Sequence, residues 1–214
     1  MHVIWVALIL CISTMVTANV PLTEAVGSGP PIPGAPKLNA SGYILIDARN
    51  GEVLVDRNAE EPLPPASLTK MMTAYIAERE IAAGRADIED MVPISVRAWK
   101  TGGSRMFVRE GTEVRLGDLM RGIIVQSGND ASVAVAEHLA GSEDVFADVM
   151  NQTAQSLGMT KSVFKNATGL PAEGHVSTAK DLAILASRII KDFPEKYAIY
   201  KEKTFIYNGI KQSN

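Results

Sequence analysis

Sulfur and imidazole are scarce in this sequence. Among its 214 residues there is one cysteine, Cys11, and there are three histidines, His2, His138 and His175. Cys11 and His2 both lie in an apolar N-terminal run. Without that run the chain has no thiol, so it can form no disulfide, no thiol nucleophile and no sulfur-ligated metal centre. The other two histidines lack the His-Glu-x-x-His spacing of a zinc hydrolase, so no metal site is expected. Basic runs are missing as well. Lys and Arg total 21 against 24 Asp and Glu, for a net charge of −3, with no cluster or stripe. Nucleic acid is therefore not an expected partner.

What is present is enough to bury a core: 46% of the residues are apolar and 21% are charged, in a chain of one-domain length. Val3 to Val16 is almost unbroken in its apolarity, and Val16-Thr17-Ala18 supplies the small residues that a signal peptidase reads. Residues 1–18 therefore read as a signal peptide, with Ala25 as a second cleavage point, and the product is expected outside the cytoplasm, in the periplasm or cell envelope. The run is shorter than the roughly 20 residues of a membrane span. Leu10 before Cys11 argues against a lipid-modified cysteine.

Residues 26–38, rich in Gly and Pro, read as a flexible leader to a folded region over 39–214. Tyr43 to Asp47 and Val53 to Val55 flank Asn50-Gly51, which predicts a hairpin with a two-residue turn. Pro62, Pro64 and Pro65 exclude regular structure. Ser67 then opens a helix whose apolar positions are Leu68, Met71, Met72, Tyr75 and Ile76. Helices are also predicted over 116–126, 130–139, 143–157 and 179–190. Ser142 caps one of them and Ser177 or Thr178 another. Residues 99–105 read as an exposed loop, and the tail has β character around Asn208-Gly209.

Ser67 and Lys70 stand three apart, hence on one helix face, with the hydroxyl at the helix N-terminus. A desolvated, neutral lysine could take the serine proton. Spacing alone proves little, because Ser-x-x-Lys also occurs at Ser162 and Ser177. Ser127-Gly128-Asn129 falls between two helices, where a serine can relay a proton and an asparagine can bind an amide through both donor and acceptor. It also reads as an ordinary turn. His138 reads as a surface or packing residue, and His175 as a solvated loop residue.

In this order, sixty positions apart, the two motifs resemble those of penicillin-recognising enzymes. Four blocks extend the likeness: Pro65-Ala-Ser-Leu-Thr-Lys70, Ser127-Gly-Asn-Asp-Ala131, Asn166-Ala-Thr-Gly-Leu170 and Ser177-Thr-Ala-Lys-Asp-Leu182. From about Leu38 onward the chain resembles the low-molecular-mass penicillin-binding proteins, the D-alanyl-D-alanine carboxypeptidases of the S11 serine peptidases. The resemblance implies an α+β fold of the β-lactamase/transpeptidase type, an antiparallel sheet with a helical subdomain. It implies Ser67 as nucleophile, Lys70 as general base, Ser127 as proton relay and Asn129 as binder of the substrate amide. The implied partners are peptidoglycan stem peptides and β-lactams, with no metal or organic cofactor. A β-lactamase is the neighbouring reading, but no deacylating carboxylate motif follows the second motif.

One departure stands out. The family's third motif, Lys-Thr-Gly on a strand beside the cleft, does not follow the second here. Lys100-Thr-Gly102 precedes it and opens a Gly-Gly loop, and Lys203-Thr204 is followed by Phe205. The sheet is therefore expected to be incomplete, and the alternative reading is an inactive fragment or binding remnant of such an enzyme. Membrane attachment would depend on segments not present.

Overall fold

Helix α4 (Asn129–Ala140) is buried on all sides over its first eight residues. Its run Ala-Ser-Val-Ala-Val-Ala explains this: small side chains all round let neighbouring helices approach from two directions. The computed structural model describes residues 34–214, of which Leu38–Asn214 form one compact unit. The signal-peptide assignment, and the leader up to residue 33, lie outside the described residues.

Two apolar cores meet at α4. The first draws Leu116, Leu119, Met120 and Ile123 from α3 (Leu116–Gln126), Ala98 from α2 (Val96–Lys100), and Met106 and Val108 from the loop between. A small clasp of β3 (Met91–Pro93) and β4 (Glu113–Arg115) adds Val92 and Val114. The second core is built from α5 (Glu143–Leu157) and α6 (Ala179–Asp192), with Phe146, Met150, Phe164 and Leu185 fully enclosed. Helix α1 (Lys70–Ala82) and α4 serve both cores. Ala74 and Ala77 of α1 face the first, while Met72, Tyr75 and Ile76 face the second. These are the two helices whose first turns carry the sequence motifs.

The strands form three separate antiparallel pairs among the described residues. β1 (Tyr43–Ile46) pairs with β2 (Val53–Arg57) and packs on α6; β5 (Thr204–Tyr207) pairs with β6 (Ile210–Ser213) and packs on α3. The first pair leaves an apolar face open. Leu45, Val53 and Leu54 are each more than half exposed, and an apolar groove of about 560 Å³ runs between β1 and α6.

Two local expectations are corrected. The first hairpin does not close on a two-residue turn. The Asp47 and Asn50 side chains accept from the Arg49 and Glu52 amides at 2.8 and 2.9 Å, and these bonds hold a wider loop between the strands. The α-helix proper begins at Lys70 and not at Ser67. Ala66–Thr69 form a tighter 3-10 turn, in which the Leu68 amide donates to Pro65 O at 3.1 Å. The cap ambiguity before α6 resolves to Thr178, whose Oγ1 accepts from the Asp181 amide at 3.0 Å.

Phe146 and Val145 are neighbours on α5, the first fully buried and the second 51% exposed. Phe146→Ala is expected to lower stability by about 3–5 kcal/mol through lost transfer energy and a cavity. Val145→Ala is expected to change it by less than about 0.5 kcal/mol. Urea denaturation of the two variants measures the difference.

Candidate active site

Ser67 sits on the exposed 3-10 turn, directly after a strained residue. Ala66 has φ +47°, in the left-handed region that costs a side chain energy. Gly169 leans on this turn so closely that a Cβ there would fall 1.8 Å from Ala66 O. Only glycine permits that approach. The backbone of Ser67 is thus held from outside its own helix.

Three residues on, Lys70 is 5% exposed at the first position of α1. Its Nζ lies 3.3 Å from Ser67 Oγ and donates to Thr168 O at 2.7 Å. Burial brings the amine from 10.5 down to about 8, with no charged neighbour contributing. Two neutral oxygens orient the amine without stabilising its charge as a carboxylate would. A useful share of Lys70 is therefore neutral near pH 7, with its lone pair available to the Ser67 hydroxyl.

Ser127 closes the other side. It ends α3 with φ +58°, and this left-handed residue turns the chain into α4. Ser67, Lys70 and Ser127 line one cavity of about 100 Å³, walled by Met71, Ile123, Ile124 and Tyr200. Burial pushes the Tyr200 phenol above its ordinary range, so it is a neutral wall.

Asn129 does not line that cavity. It is 4% exposed, its side-chain amide donates to Gly102 O at 2.7 Å, and its backbone amide donates to Ser104 O at 2.8 Å. The Gly102-Gly103 loop therefore borders the motif directly. Lys100 ends α2 and does not begin a strand, so Lys100-Thr-Gly102 is no counterpart of a strand-borne third motif.

The Asn166–Leu170 block has a structural explanation. Asn166 Oδ1 accepts from the Thr168 and Gly169 amides and from Thr168 Oγ1. Ala167 O accepts from Thr73 Oγ1 at 2.8 Å, and its amide donates to the buried Glu143 carboxylate at 3.0 Å. The segment is pinned at each residue, so Thr168 O is a fixed acceptor for Lys70. Nothing in the sequence marks a backbone carbonyl, and this contact could not be read there. Ser162 and Ser177 are bonded to each other at 2.8 Å, Ser162 also donates to Asp181 at 2.7 Å, and the amine of Lys180 donates to Glu60 at 2.6 Å. Only the first of the three Ser-x-x-Lys tetrads has its lysine amine against its serine.

A model of the peptidase S11 family, described as D-alanyl-D-alanine carboxypeptidase, matches residues 30–214. The chain belongs to this family. It is 45% identical over 189 residues to the D-alanyl-D-alanine carboxypeptidase DacA of Escherichia coli K12, covering 86% of this chain and 47% of that protein. It superposes on penicillin-binding protein 5 of Haemophilus influenzae with a TM-score of 0.82 and 41% identity, covering 85% of this chain and 54% of that one. Penicillin-binding protein D2 of Listeria monocytogenes in its ampicillin-bound form aligns at TM-score 0.75 and 27% identity, covering 85% of this chain and 74% of that one. The fold is thus the penicillin-binding transpeptidase type expected from the motifs. The chain spans about half the length of the curated relatives it matches.

His138 lies 3.4 Å from Asp90 across the surface, as a packing residue would. His175 is corrected: it is 5% exposed, not solvated. Its Nδ1 accepts from the Lys165 amide at 3.3 Å, so the neutral ring carries its proton on Nε2 and donates it to Thr69 Oγ1 at 2.9 Å. Burial, then the charge of Lys165, hold His175 below its ordinary 6.5. A depressed folded pKa stabilises the fold above the unfolded value, and that stability is lost as pH falls. The chain is therefore expected to lose stability on acidification below about pH 6.5. His175→Gln should flatten that part of the curve, measured by thermal melts between pH 7.5 and 5.

Proposed function

We propose that this chain carries the acylation machinery of a serine D-alanyl-D-alanine carboxypeptidase working on peptidoglycan stem peptides in the cell envelope. The observation that carries the reading is the contact of Ser67 Oγ with a buried lysine amine that has no charged partner among the described residues. Neutral Lys70 takes the Ser67 proton as Oγ attacks the carbonyl carbon of the penultimate D-alanine. The tetrahedral intermediate collapses by breaking the peptide C–N bond. Ser127, across the same cavity, passes a proton to the departing amine of the terminal D-alanine. Water then cleaves the acyl-enzyme and releases the shortened peptide, restoring the Ser67 hydroxyl and the Lys70 amine. Asn129 would meet the substrate amide through its Oδ1, since its amide nitrogen is committed to Gly102 O. A β-lactam would follow the same path, its strained amide opening onto Ser67 without losing a leaving group.

The test is labelling by a fluorescent penicillin. Wild type should form a covalent adduct that Ser67→Ala abolishes; an adduct that survives Ser67→Ala overturns the assignment of the nucleophile. The labelling rate should rise with pH to a plateau, with its midpoint near 8, because the neutral amine is the active form.

Lys70 also predicts a trade between function and stability. Holding it charged in the fold costs roughly 3 kcal/mol at pH 7, whereas removing the amine leaves Thr168 O without its donor, at a cost of about 1–2 kcal/mol. Lys70→Met is expected to abolish labelling and raise stability by roughly 1–2 kcal/mol, read by urea denaturation.

A further inference from the structure

Asp130 follows Asn129 directly and is completely buried. Its carboxylate accepts from three successive backbone amides: Met106 and Phe107 at 2.8 Å and Val108 at 3.1 Å. A fourth bond comes from the Ala131 amide at 2.9 Å. The nearest cation is Arg105, whose Nε is 3.9 Å away. Apolar burial does not explain why the chain bends here. Phe107 is 47% exposed, and its φ of +69° is unfavourable for a residue with a side chain. Three amides converging on a buried anion do explain it, since charge-assisted hydrogen bonds are the stronger kind.

The same loop reaches Asn129 from the other end. Gly102 O and Ser104 O accept from its side chain and backbone, and a Cβ on Gly103 would lie 2.5 Å from its amide nitrogen. Ser104 Oγ donates to Gln126 O, one residue before Ser127. Residues 102–108 therefore form an arch with Asp130 at one foot and the Ser127–Asn129 turn under the other.

We propose that Asp130 is a positioning residue of the acyl-transfer site: its carboxylate holds the 102–108 arch, and the arch fixes Asn129 and the Ser127 turn. This rests on the function proposed above. Asp130 acts on one half of the site only. Ser67 and Lys70 are held separately by Gly169 and Thr168 O.

Asp130→Asn keeps the shape but turns an acceptor towards amide donors as an NH₂ group. Amide hydrogen exchange at Met106, Phe107 and Val108 should then quicken at least about tenfold relative to the α4 amides. The plateau of the penicillin acylation rate should fall about tenfold, while its pH midpoint stays where wild type has it, because the Lys70 surroundings are untouched. Asp181→Asn is the control for general destabilisation. It removes a buried carboxylate that also accepts from a backbone amide, that of Lys161, but lies outside the site. It should leave the plateau within about twofold. A wild-type plateau in Asp130→Asn overturns the proposal, as does an equal loss in Asp181→Asn. So does a midpoint displaced upward, which would mean that the whole site had loosened. Should wild type form no adduct, the acyl-transfer reading falls, and the exchange experiment alone decides the arch: unchanged exchange in Asp130→Asn overturns it.

Discussion

Everything in this site depends on keeping one amine out of water. Lys70 is useful as a base only if its charged form is penalised, and the penalty comes from burial with neutral partners. A carboxylate beside Lys70 would hold the proton on the amine. The fold provides carbonyl and hydroxyl oxygens there and spends its buried carboxylates elsewhere. Glu143 holds the Ala167 amide and Asp130 holds three amides of the 102–108 loop. Asp130 is satisfied mainly by backbone donors, and Glu143 by the Ala167 amide together with the Arg97 guanidinium at 2.7 Å, as buried charge requires.

The two helices that begin at the site explain how this is sustained. α1 and α4 are the elements shared by the two cores, so their first turns cannot move without disturbing both. Ser67, Lys70 and Ser127 converge because the start of α1 meets the turn that links α3 to α4. Local strain is tolerated at the same places. Ala66 and Ser127 both adopt left-handed backbone conformations beside the cavity; Gly169 packs against Ala66, and Ser104 Oγ donates to Gln126 O next to Ser127. Strain that persists only where the surroundings over-determine it is a common companion of catalytic geometry.

The β elements are less self-sufficient than the helices. β1 and β2 present Leu45, Val53 and Leu54 to solvent beside an apolar groove, which an isolated two-stranded pair would not be expected to carry alone. The helical part, by contrast, encloses Phe146, Met150, Leu116 and Leu119 fully.

Periodicity and capping chemistry were enough to place α3, α5 and α6 within a residue or two, because Ser142, Thr178 and the glycines after helices act locally. Local order also marked Ser67, Lys70 and Ser127, since a serine–lysine pair and a helix-to-helix turn are legible in the chain itself. What the linear order could not reveal were partners that arrive from distant segments. Thr168 O is 98 positions from Lys70, His175 is 106 from Thr69, and the amides that fold onto Asp130 belong to another loop. The sequence by itself determined which residue types the candidate site carries, though it opened α1 at Ser67, where the structure has a 3-10 turn ahead of the helix. The tertiary structure alone decided which of three Ser-x-x-Lys tetrads has its lysine buried against its serine, because desolvation is a property of packing and not of spacing.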